Sequence, residues 1–85
     1  MSFKKGDQII YIPSHANGNI NHPDCEPGFV VGTKTHTAFC RYWREPKIGL
    51  LRNTKYSEAT PVSCLKKHNS VDQRIVDLWL NENGY

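Results

Sequence analysis

The order of apolar and polar positions changes character several times along the chain. Residues 8–12, QIIYI, form a β-branched and aromatic run that begins after Gly6-Asp7 and stops at Pro13, the punctuation of a short strand. Residues 13–27, PSHANGNINHPDCEP, then carry only Ala16, Ile20 and Cys25 as apolar side chains among three prolines, three asparagines and two histidines. This is a loop. It is well beyond the ~4–6 residues usual in compact domains, and ordered loops of that length either serve a function or fold on themselves.

Gly28 to Lys34 and Thr37 to Arg44 read as two strands of an antiparallel hairpin that turns near Thr35-His36. Period-two alternation places Ala38, Cys40 and Tyr42 on one face of the second strand and Phe39, Arg41 and Trp43 on the other. Because the latter set holds an arginine, the first is expected inside and the second toward solvent or a partner. Residues 45–55 form an irregular connection, Tyr56 to Thr60 a short strand closed by Pro61, and PVSCLKK a tight turn with a last strand that points Val62 and Leu65 inward. The final segment predicts a helix. Ser70 and Gln73 have capping-box spacing, Val71, Ile75, Leu78 and Trp79 share one face, and Gly84 is placed to end it. That face is expected to lie on the body of the domain, with Trp79 as anchor.

Eighty-five residues allow one small domain, read as a β body over residues 1–68 with the helix of residues 69–85 packed on it. No apolar run approaches the ~20 residues of a membrane-spanning helix, so no membrane association is expected. MSFKKGDQ lacks the apolar stretch of a secretory signal, which makes the cytoplasm the expected location. Cys25, Cys40 and Cys64 are an odd number without an export signal, so a disulfide framework is not expected; Cys40 and Cys64 read as small core residues. The net charge is +3, but residues 41–68 hold seven of the eleven Lys and Arg against two acids. A basic middle of this kind suits nucleic acid or an acidic protein face.

The opening KKGDQIIYIP and the closing ATPVSCLKK resemble the first strand and the turn with last strand of a Src homology 3-like small β-barrel. Over about Lys4 to Lys66 the chain also resembles a group of small proteins encoded in bacteriophages and prophages, through GDQIIYIPSHANGNINHPDCEPGFVV, FCRYW and SEATPVSCL. The resemblance implies a mobile-element origin and a barrel, and no reaction. With the helix predicted from its own pattern, which lies outside the match, the expected fold is a mainly β, five-stranded barrel with a long first loop and a C-terminal α-helix.

Three site readings follow from the residues. Phe39, Arg41, Trp43 and Arg44 would make an aromatic and guanidinium patch for a protein partner, the leading reading. Alternatively the same patch would stack bases while Lys47, Arg52, Lys55, Lys66 and Lys67 hold phosphates. The loop offers His15, His22, Asp24 and Cys25 as candidate zinc ligands, with Cys40, Cys64, His36 or His68 as residues to be folded toward them, although no common zinc spacing occurs. No cofactor other than zinc is suggested. The absence of any familiar nucleophile or phosphate-loop string points away from an enzyme. Nothing in the sequence specifies the oligomeric state.

Overall fold

Six strands and one helix succeed one another: β1 (Gln8–Tyr11), β2 (Glu26–Lys34), β3 (Thr37–Glu45), β4 (Leu50–Leu51), β5 (Glu58–Pro61), β6 (Leu65–Lys67) and α1 (Gln73–Glu82). The computed structural model describes residues 2–53 and 55–85; Met1 and Thr54, which fall in the expected domain and its second connection, lie outside the described residues. All strand pairings are antiparallel, along the path β4-β3-β2-β1-β6, with β5 also paired to β3. The fold is mainly β, as expected, but the sheet has six strands rather than five. The added strand, β4, lies in the stretch read as irregular and pairs Leu51 with Trp43. Between β5 and β6 runs a 3₁₀ turn, Val62–Cys64, and among the described residues no pairing between these strands closes the sheet into a barrel.

The β2–β3 hairpin is buried on both faces, and this decides most of the molecule. On one face Val30, Ala38, Cys40 and Tyr42 pack with Ile9, Leu65 and Phe3, and the half-buried Val62 joins them. On the other, Phe29, Val31, Trp43 and Leu51 pack beneath Val76 and Leu80 of α1. Alternation along each strand sends successive side chains to the two layers. A bulge between Val30 and Gly32 sets the register there. Close approach of the strands requires glycine at position 28, because a Cβ there would lie 2.2 Å from the Arg41 carbonyl oxygen.

The helix begins later than its sequence pattern suggests. Asp72, not Ser70, caps it by accepting from the Arg74 N–H at 2.9 Å, and Gln73 is the first helical residue. Val71 therefore does not set the helical phase. The buried side is Val76 and Leu80, with Trp79 and Val71 half-buried beside them, and it leaves Ile75 and Leu78 exposed. Each buried aliphatic side chain contributes ~1.5–3 kcal/mol, enough for two of them to fasten a ten-residue helix that would not persist alone. No described helix is long and apolar enough to cross a membrane.

Candidate functional site

The segment between β1 and β2 folds on itself. A 3₁₀ turn, Ser14–Ala16, leads into Asn17 and Gly18, whose φ values of 51° and 78° lie in the left-handed region that Asn and Gly tolerate best. Backbone bonds from Asn19 N to Ala16 O (3.0 Å), from His22 N to Asn19 O (3.1 Å) and from Cys25 N to His22 O (3.0 Å) carry the chain round. Beneath them Ala16 is buried against Ile10 and Ile12, with Cys25 half-buried alongside. The loop thus has an apolar foot and a polar crown.

On that crown, His15 Nε2 lies 2.7 Å from Asp24 Oδ2, and His22 Nδ1 lies 4.0 Å from the same oxygen. The imidazoles of His15 and His22 meet edge to face at 5.1 Å between centroids. The Asp24 N–H donates to His22 Nδ1 at 3.0 Å. One potential ligand atom from each of the three residues falls within 4.8 Å of the others. Cys25, expected with them, does not join: its thiol donates to the Asn19 carbonyl at 3.3 Å, because its side chain packs toward the foot. Nor do the more distant candidates. Cys40 is in the core, Cys64 in the 3₁₀ turn before β6, His36 in the β2–β3 turn and His68 just past β6.

The set expected to face outward on β3 is covered. Trp43 is 5% exposed and Arg41 8%, and Phe39 is half-buried beneath α1. The Arg41 guanidinium lies 5.2 Å from the Trp79 ring centre and donates through Nη1 to the Asn53 carbonyl at 3.1 Å. The alternation placed these residues on one face correctly, but an arginine in the set did not make that face a wet one. Its charge is met by an aromatic ring and a carbonyl, and its stem packs. Of the four expected partner-binding residues only Arg44 is exposed. A signal for this was present: Phe29-Val30-Val31 is a continuous apolar run, as in strands buried on both sides.

The basic residues do not make one strip. Arg52 is ion-paired with Glu26 and bonded to both carboxylate oxygens of Glu58 at 2.7 and 2.6 Å, with its guanidinium 5.2 Å from the Tyr42 ring centre. Lys67 lies 3.8 Å from Asp7. Lys66 and Lys67 belong to β6, while Lys47 lies in the 3₁₀ turn Pro46–Ile48 before β4, at the opposite end of the sheet path. Lys55 is exposed in the connection between β4 and β5. A depression of about 350 Å³ lined by Lys4, Lys5, Asp7, Lys67, Gln73 and Asp77 mixes both signs of charge and has no thiol or hydroxyl nucleophile among these residues.

A different surface emerges from α1 and the β3–β4 connection. Ile75 and Leu78, one helical turn apart, are exposed, Leu78 at 58%. Gly49, at φ +65°, brings the connection against them: a Cβ there would lie 3.5 Å from Ile75 Cγ2. Ile48 and Leu50 flank that glycine, with Ile48 75% exposed. Four large aliphatic side chains are thus exposed on two distant segments that approach each other where Gly49 meets Ile75. Sequence reasoning missed this surface because it assigned Ile75 and Leu78 to the packed face and left residues 45–55 without structure. Compared with known proteins, the chain matches no family model, no curated protein and no solved structure.

Proposed function

We propose that the chain is a non-enzymatic cytoplasmic binding module that docks a protein partner on the aliphatic ridge of Ile48, Leu50, Ile75 and Leu78. The observation that carries this reading is the exposure of these side chains on two segments that meet at Gly49 and Ile75, when the fold buries the other aliphatic residues of α1. Apolar area left in water costs ~25 cal/mol per Å², and a contiguous patch marks the place where a second surface gains most by landing. Arg44 and Lys47 stand in the same stretch of chain and supply charge at the rim of such a contact. The order of β1, long loop, β2–β3 hairpin, β5, 3₁₀ turn and β6 supports a Src homology 3-like small barrel as the architectural reading. The resemblance of GDQIIYIPSHANGNINHPDCEPGFVV, FCRYW and SEATPVSCL to phage and prophage proteins, a reading of the sequence alone, is the support for a host or phage factor as the partner.

The test is recovery of a defined protein from host lysate by the tagged chain, with and without nuclease, compared with Ile48→Asp and Leu78→Asp. Recovery that survives nuclease and drops at least tenfold in both variants is expected. Recovery only without nuclease, with log affinity falling by about 0.9 per phosphate contact as log salt rises, would replace this reading with nucleic-acid binding. Recovery indifferent to both substitutions would remove the ridge.

A further inference from the structure

We propose that His15, His22 and Asp24 form a binding site for a single divalent transition-metal ion of the zinc type, with the remaining coordination position open to water. The site lies on the β1–β2 loop and uses none of the aliphatic ridge. Two imidazoles and a carboxylate are the donor set that suits zinc, and three protein ligands with one open position is a coordination it commonly accepts.

The geometry is close to what the ion needs. Donors held at about 2.0–2.1 Å around a tetrahedral ion lie about 3.3 Å from one another. The three here lie within 4.8 Å, and His15 and Asp24 are exposed, at 59% and 60%, so side-chain rotation can close the difference without disturbing the core. His22 Nδ1 accepts the Asp24 N–H at 3.0 Å, so that nitrogen turns its acceptor side toward the Asp24 corner of the loop. Binding would exchange that bond, and the one between His15 and Asp24, for bonds to the ion.

Apart from the Asp24 N–H, which His22 Nδ1 accepts, the backbone beneath is held by groups other than these three side chains. Main-chain bonds at Asn19, His22 and Cys25 and the buried Ala16 fix the loop, and an exposed His–Asp pair adds little to that. Most of the loop's fold therefore stays in place when the three side chains turn toward an ion.

Titration of the purified chain with zinc chloride, followed by calorimetry, tests the site. One ion per chain is expected, with affinity at least tenfold lower in His15→Ala and in Asp24→Asn and unchanged in His36→Ala, His68→Ala and Cys25→Ser. Zinc should also shift the imidazole nitrogen resonances of His15 and His22 in the unaltered chain, a readout that requires no variant to fold. Absence of a saturable heat, affinity that ignores the His15 and Asp24 substitutions, or resonance shifts confined to His36 and His68 would each overturn the proposal.

Discussion

Gln8 of β1 and Gln73 at the start of α1 are joined by a hydrogen bond, Gln8 Nε2 donating to Gln73 Oε1 at 3.1 Å. The same Gln8 amide donates to the Val71 carbonyl at 2.9 Å and accepts from the Ser70 and Val71 N–H groups at 3.1 Å each. Gln73 in turn donates to the Gly6 carbonyl at 2.8 Å. One amide, 3% exposed, thus satisfies the backbone that leads into the helix and seats α1 over Trp43. The covering of β3 depends on this polar joint as well as on the aliphatic contacts of Val76 and Leu80.

Gln8→Met keeps the length of the side chain and removes its polar atoms. It leaves two N–H groups and a carbonyl without their partner, at a cost of ~1–3 kcal/mol for each group that water does not reach. A loss of about 2–4 kcal/mol in urea unfolding is expected, with a red shift of tryptophan emission as α1 loosens. An unchanged midpoint would mean that helix docking does not depend on this residue.

Trp43 Nε1 is buried and has no hydrogen-bond partner among the described residues. Trp43 packs against Phe29, at 5.3 Å between ring centres, and beneath Val76 and Leu80. Trp43→Ala should therefore cost ~3–5 kcal/mol through the cavity it leaves. Trp43→Phe loses some packing but also removes the unpaired donor, and these oppose each other. Its expected cost is about 1 kcal/mol or less, and equal losses for the two substitutions in denaturant unfolding would contradict this account.

On the opposite face, burial pushes the Cys40 thiol up from 9.0 to about 11 and also raises the Tyr42 phenol, whose bond to Thr60 acts in the other direction. An unfolded chain releases the thiol proton near pH 9.0, whereas the folded chain holds it to about 11. Stability from this group is therefore complete below pH 9.0 and declines as pH rises toward about 11. Urea midpoints measured from pH 7 upward should fall across that window, and less steeply in Cys40→Ala. A midpoint that stays level to pH 11 would show that the thiol titrates alike in both states.

Much of this was legible along the chain. QIIYI, the hairpin about Thr35-His36, the turn after Pro61 and the C-terminal helix are local patterns, each set by propensity and punctuation within a few residues. The grouping of His15, His22 and Asp24 was legible as chemistry but not as geometry, since which donors meet depends on how the mostly polar residues between β1 and β2 turn back on one another. Cys25 shows the limit: one residue from Asp24 in sequence, it is drawn instead to the apolar foot of the loop.

What the sequence by itself determined is the mainly β order of elements and the two alternating side-chain sets of β3, because backbone stereochemistry sends neighbours to opposite faces without regard to distant residues. The tertiary structure alone decided that both faces are covered, that α1 turns Val76 and Leu80 inward, and that Ile48, Leu50, Ile75 and Leu78 are left outside. The physical reason is that burial is a property of pairs of surfaces. Alternation says which side chains travel together, and only the docking of α1 through Gln8 and Gln73 says which of them remain in water.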